Sequence, residues 1–396
     1  MKPLQPVHAR LYCLDWIRVL AFGLLLFYHI ALIFVDSNFH VKNQELYAGL
    51  QLPMFFIRQW RMPLLFLISG AGSWFALKNI NGLSFLKERF VRLFIPLTFG
   101  FLVIVPPLNY IGSLQQPEAS GTYFYFLRDH FLHHFRWNHL WFIAYLMVYS
   151  IIALPLFLYL RGDGKKWSES FSRFFSSNRF SLLLLVIPLF IVEFTLRDAW
   201  PDKRKLVSDW YNFLFYFITL VYGYFVASNR SLWDRIEADR TFYFILGVVC
   251  FIFIYTEMSQ AGGDFIDKPH TLSATYKLIK CIDAVSWMLC FLGYAKRYLN
   301  FNSFWLQYAN RAVYPFYILH YPILIGIGYV VVRLDYSIFT KYILIALGSL
   351  KGIGCIYEGL IRRSKWIALV FGVKERDLIL KQREPGNIVL TFEDVA

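Results

Sequence analysis

Charge is what this sequence is short of. Asp, Glu, Lys and Arg make up 17% of its 396 residues, against about 25% in a soluble domain. Apolar residues reach 58% and arrive in long blocks, which no soluble core requires. These totals exclude a soluble globular enzyme. They make the chain an all-α polytopic membrane protein. Cysteine is sparse as well. Cys13, Cys250, Cys281, Cys290 and Cys355 are scattered and form no CxxC or Cys/His spacing, which argues against a disulfide framework and against a zinc site. No metal is expected. Long polar stretches are missing too, and the longest connections, near 112–138 and 161–179, are too short for a soluble domain. The net charge of +14 would suit nucleic acid, but basic loops beside membrane spans account for it, so no nucleic-acid partner is expected.

Windows of about 20 apolar residues yield about ten spans, near 15–35, 53–77, 91–111, 139–160, 180–198, 209–228, 241–260, 274–296, 311–333 and 340–361. The first lacks a small-x-small cleavage site and carries His29 and Asp36, so it reads as a retained helix and not a signal peptide. Most Lys and Arg outside the spans fall on one side when the N-terminus is placed inside. That asymmetry predicts cytoplasmic termini. Trp137, Trp141, Trp210 and Tyr211 sit near span ends, as interfacial anchors do. Residues 1–373 are expected to form the transmembrane domain and 374–396, with Pro385-Gly386, a polar cytoplasmic tail.

Ionisable groups inside spans are costly and call for a partner or a role. In the first span Arg18 and His29 have ten residues between them. That spacing puts them on one helix face, about 16 Å apart in height. Arg18 could simply snorkel, and His29 could simply hydrogen-bond within the packing. Yet an imidazole is also the natural acceptor for a hydroxyl proton. Arg58 and Arg61 share the outer end of the second span, either as anchors or lining a polar cavity, ahead of the small residues Ser69 to Ser73. Arg89 and Arg92 stand one turn apart at the start of the third. They could anchor the helix or hold phosphates. His320 lies between Pro315 and Pro322, a spacing that suggests a broken helix. Lys277, Lys280 and Asp283 would supply an internal ion pair beside it, and Glu193, Glu257 and Glu358 are further buried candidates.

Arg18-x10-His29 followed by Arg89-x2-Arg92 resembles the membrane acyltransferase type 3 family. Phe39-His40-Val41, Arg61-Met62-Pro63 through Ile68-Ser69-Gly70, His139-Leu140-Trp141-Phe142, Tyr317-Ile318-Leu319-His320-Tyr321-Pro322 and Tyr357-Glu358 are similar to its glucan succinyltransferase branch, the glucan biosynthesis protein C type. The likeness runs over almost the whole chain. It implies an integral enzyme of the bacterial plasma (inner) membrane that moves an acetyl or succinyl group from cytoplasmic acyl-CoA to a hydroxyl of a periplasmic or cell-surface glycan. His29 would be its catalytic histidine, with Arg18 as partner. Arg89 and Arg92 would meet the CoA phosphates, and Arg58, Arg61, His139 and His320 would line the substrate cavity. Many members carry an extra hydrolase-like domain, for which this chain has no room. The competing expectation is a transporter exporting a glycan or a lipid-linked intermediate.

Overall fold

Inside a bilayer the backbone must satisfy its own hydrogen bonds. Among the described residues of the computed structural model (11–114, 122–133, 137–200, 202, 205–260 and 273–373) every regular element is accordingly helical. The expected polar tail, 374–396, lies outside them. Helix starts follow from side-chain caps. Asn81, Asn178, Asn229, Ser273, Ser303, Ser337 and Ser364 each accept from a backbone N–H of the first turn.

α1 (Tyr12–Ala31) ends earlier than its apolar run, and Ile33, Phe34, Val35 and Val41 fold back as a buried segment before α2 (Gln51–Asn79). The third span runs from Gly82 to Ser113 through α3 (Gly82–Arg89), α4 (Ile95–Phe99) and α5 (Val105–Ser113). Two π-helical stretches, Phe90–Phe94 and Gly100–Ile104, join them. Pro96 and Pro106 have no N–H for the carbonyls of Arg92 and Leu102, and those carbonyls sit inside the widened turns. α6 (Tyr123–His133) and the amphipathic α8 (Lys165–Ser176) flank α7 (Trp141–Arg161). The fifth span is broken into α9 (Arg179–Leu183) and α10 (Val186–Leu196). α11 (Trp210–Ser228), the short α12 (Arg230–Ala238), α13 (Arg240–Gln260), α14 (Ala274–Tyr298), α15 (Phe304–Val331), α16 (Ile338–Gly359) and the short α17 (Lys365–Val370) complete the order.

Nine spans among the described residues are long and apolar enough to cross a membrane. α2 is not one of them, because Arg58, Arg61 and its small polar residues lower its apolarity. Packing direction nevertheless makes it a tenth crossing. Phe66 meets Tyr216 of α11 and Gly70 meets Leu220. Phe56 meets Trp287 and Trp60 meets Phe291 of α14. Both registers ascend together, so α2 runs parallel to the sixth and eighth spans, as a second crossing must. Likewise α1 and α15, the first and ninth, run parallel. Large apolar side chains left exposed, such as Leu20, Leu102, Ile152, Ile191, Val249 and Leu347, give the bundle a lipid-facing coat.

The contact between α2 and α11 is made by two glycines. A Cβ at Gly70 would lie 1.8 Å from the Leu220 carbonyl oxygen, and one at Gly223 would lie 1.7 Å from that of Leu67. Small residues let two backbones touch, which is how helices gain contact in lipid. Gly70→Ala and Gly223→Ala should each cost at least about 1–3 kcal/mol by overpacking. A drop in Tm of the detergent-solubilised protein would report it. Gly354→Ala, whose Cβ would meet nothing within 4 Å among the described residues beyond its own helix backbone, should leave Tm unchanged.

Candidate active site

Two polar centres lie along the α1–α15 seam. The first is toward the end of the bundle where α1 finishes, called here the far end. His29 Nδ1 is 3.1 Å from His320 Nε2, and His320 Nδ1 is 2.6 Å from the Tyr317 carbonyl oxygen. Both rings are buried, His29 at 8% exposure and His320 at 0%. Phe39 lies nearly parallel to the His29 ring, and Tyr321 meets it edge-on at 4.9 Å.

α15 does not break between its prolines; it is one helix with Pro315 and Pro322 inside. Pro322 has no N–H, so the Ile318 carbonyl lacks its helical donor. His139, in the short turn Asn138–Leu140 that opens α7, supplies one through Nε2 at 3.0 Å. The Tyr317 hydroxyl donates back to the His139 carbonyl. His139 Nδ1 is buried and has no hydrogen-bond partner among the described residues. His40 continues the cluster outward, with Nδ1 3.2 Å from the Tyr321 hydroxyl and Nε2 3.2 Å from Asn109 Oδ1. Asn138, held at φ 45°, donates to that same oxygen at 2.5 Å. Asn tolerates this left-handed conformation better than most residues. Arg61 is buried with its guanidinium 4.0 Å above the Tyr28 ring, next in sequence to His29.

The second centre lies near the start of α1. Arg18 Nη1 is 3.4 Å from Asp15 Oδ1 and 3.3 Å from Asn310 Oδ1 of α15. Arg89 reaches Ser73 of α2 at 3.5 Å, and Arg18, Arg92 and Tyr314 lie within electrostatic range of it. Arg92 meets Glu88 at 3.6 Å and lines a cavity of about 510 Å³ with Ser84, Lys87, Glu88, Val91, Leu369, Gly372 and Val373. The π-helical turn after Arg89 sends the two arginines different ways, one into the bundle and one to the cavity wall. Gly372 has φ +69°, and a Cβ there would sit 2.6 Å from the Tyr314 ring. The Tyr314 hydroxyl is buried without a hydrogen-bond partner among the described residues.

Several expectations need correction. Lys277 and Lys280 do not serve His320. Lys277 pairs with Asp198 at 2.6 Å and Lys280 with Glu193 at 2.7 Å, while Asp283 accepts from Trp287. Tyr211 donates to the second Glu193 oxygen. Glu358 holds Arg362 and Tyr308, and Glu257 is exposed. Arg58 and Arg61 part company, since Arg58 lies within range of Tyr276 on α14, away from Tyr28. Sequence reasoning gave no role to His40, Tyr321, Tyr314 or Asn310. His40 and Tyr321 stood inside the quoted stretches, but Tyr314 and Asn310 carried no local signal.

A ten-crossing bundle with an arginine centre and a histidine centre on one seam defines a polytopic membrane protein with two polar centres at different depths. The family model described as an acyltransferase domain matches residues 11–357, and the chain belongs to that acyltransferase type 3 family. It is a membrane acyltransferase. It is 24% identical over 339 residues to "Glucans biosynthesis protein C" of Escherichia coli K12, covering 82% of this chain and 85% of that protein. The protein of the same name from Escherichia coli O1:K1 matches to the same extent. No solved structure matches. Acyl transfer replaces the exporter reading.

The Lys280–Glu193 pair is a structural tie, because both groups are satisfied by each other and by Tyr211. Lys280→Met should cost about 3–5 kcal/mol by stranding a buried carboxylate, read as a fall in Tm. Lys280→Met combined with Glu193→Gln should recover most of it. Loss of acyl transfer in the double variant at normal Tm would show that the pair belongs to the site.

Proposed function

We propose that this enzyme of the bacterial inner membrane moves an acetyl or succinyl group from cytoplasmic acyl-CoA to a hydroxyl of a periplasmic or cell-surface glycan. The observation that carries the reading is one seam. Arg18 and His29 both dock on α15, eleven residues apart on α1 and meeting Asn310 and His320, ten residues apart on α15. A donor bound at the arginines and an acceptor at the histidines would thus face opposite leaflets of the bundle. The names of the Escherichia coli relatives supply the glucan.

The reaction needs little beyond positioning, a base and charge stabilisation, because a thioester is already activated. Arg92 and Lys87 on the cavity wall suit the CoA phosphates, and guanidinium forks match phosphate oxygens. The Tyr314 hydroxyl beside Arg89, without a hydrogen-bond partner among the described residues, offers the donor one more hydrogen bond. The pantetheine arm would then run along α1 past Arg18 toward His29. His29 takes the proton of the glycan hydroxyl as its oxygen attacks the thioester carbonyl. The tetrahedral adduct collapses, the C–S bond breaks, and the CoA thiolate leaves to receive that proton. Arg18, about 16 Å from His29 along the helix, serves the CoA arm of the donor and takes no part in a proton dyad.

His29→Ala should lower transfer of labelled acyl groups at least about 100-fold while the protein stays folded in the membrane. Arg92→Ala should raise the KM for acyl-CoA about tenfold, the worth of a charge-assisted bond, with kcat little changed. Retained transfer by His29→Ala, or an unaltered KM in Arg92→Ala, would sink the corresponding assignment.

A further inference from the structure

We infer that His320 is a positioning residue that fixes His29 in the one tautomer able to act as a base; this rests on His29 being the base of the proposed reaction. The inference follows from a chain of hydrogen bonds with only one consistent direction. A carbonyl oxygen accepts and never donates. The Tyr317 carbonyl, 2.6 Å from His320 Nδ1, therefore assigns the His320 proton to Nδ1. Neutral imidazole then has its lone pair on Nε2. The ring is wholly buried, and no carboxylate touches it among the described residues, so a doubly protonated His320 would be an unpaired buried charge of high cost.

The lone pair on His320 Nε2 faces His29 Nδ1 at 3.1 Å. His29 must donate there, which leaves its own Nε2 as the unprotonated nitrogen. The opposite tautomer would place two lone pairs against each other and present an N–H to the acceptor hydroxyl, which cannot receive a proton. The geometry thus does for His29 what a carboxylate does for the histidine of a hydrolase triad, with a histidine and a backbone carbonyl in place of the acid.

The anchor itself is fixed. Tyr317, whose carbonyl starts the chain, is tied by its hydroxyl to the His139 backbone, and His139 Nε2 is tied to Ile318 through the carbonyl that Pro322 leaves without a donor. The Tyr-Ile-Leu-His-Tyr-Pro stretch therefore encodes both the relay and its clamp. When His29 takes the hydroxyl proton, the positive charge formed is shared toward His320 Nε2 through the same hydrogen bond, with no bond to carbon made or broken at His320.

The test combines kinetics with a spectroscopic reading. Purified enzyme labelled with 15N-histidine, its His29 signals assigned by their loss in His29→Ala, should show His29 with Nδ1 protonated and Nε2 unprotonated in the absence of any substrate. His320→Leu should lower kcat about 100-fold with little change in the KM for acyl-CoA. His320→Gln, whose side-chain oxygen can accept from His29 Nδ1–H, should regain at least about tenfold of that loss. A His29 protonated on Nε2 in the wild-type protein would overturn the inference. So would wild-type kcat in His320→Leu alongside an inactive His29→Ala, a result that leaves the base intact. Activity surviving in His29→Ala would overturn the base assignment itself, whatever His320 does.

Discussion

The parallel docking of α1 on α15 is the constraint from which the rest of the structure follows. Cys13 meets Asn300, Trp16 meets Phe301, Arg18 meets Asn310 and His29 meets His320, so the two registers rise together. Two helices of one chain can run parallel only if an odd number of crossings separates them. That requirement turns α2 into a span despite its arginines, and it gives α2 the same sense as α11 and α14. The close contacts of Gly70 on Leu220 and of Gly223 on Leu67 then bring α2 to the centre, where Arg61 can lie over Tyr28. Placing the two polar centres at different depths of one seam is a consequence of this arrangement.

The polar groups inside the bundle divide by how completely they are satisfied. Lys280 with Glu193 and Tyr211, and Arg362 with Glu358 and Tyr308, close on themselves. Groups of that kind tie helices together and have little capacity left for a ligand. His139 Nδ1 and the Tyr314 hydroxyl differ, since each is buried with no hydrogen-bond partner among the described residues. A native structure rarely leaves such atoms idle. Trp60 Nε1, Asp283 Oδ2 and Ser286 Oγ are further such atoms elsewhere in the bundle; His139 Nδ1 and the Tyr314 hydroxyl stand in the histidine centre and the arginine centre respectively, the two places where the proposed acceptor and donor would bind.

Much of the fold was legible in the sequence because lipid imposes it. Long apolar runs mark helices whatever their neighbours are, and Arg18 with His29 on one face followed from helical period alone. Helix ends were less legible. Residues 32–35 are as apolar as a span, yet they fold back, since burial inside the protein rewards the same residues as burial in lipid. The break between α9 and α10 falls four residues before Pro188, which has no N–H for the Leu184 carbonyl, yet Pro155, Pro315 and Pro322 sit inside continuous helices, so a proline alone does not announce a break. What the sequence could not disclose was pairing across distance. His320 read as the partner of charges on the neighbouring span, whereas its partner lies on α1, and nothing local distinguishes the two. Arg58 and Arg61 looked alike at three residues' spacing, and only the helices packed on either side separate them.

The central claim is that the acyl group enters at the arginine end of the seam and leaves at the histidine end, across the membrane. Reconstituted vesicles in which the Arg92 face points outward would test it directly, with labelled acyl-CoA outside and a glucan oligomer sealed within. The account predicts label on the enclosed oligomer, and none when donor and acceptor exchange sides. Labelled oligomer formed in intact vesicles with donor and acceptor together on one face would contradict it.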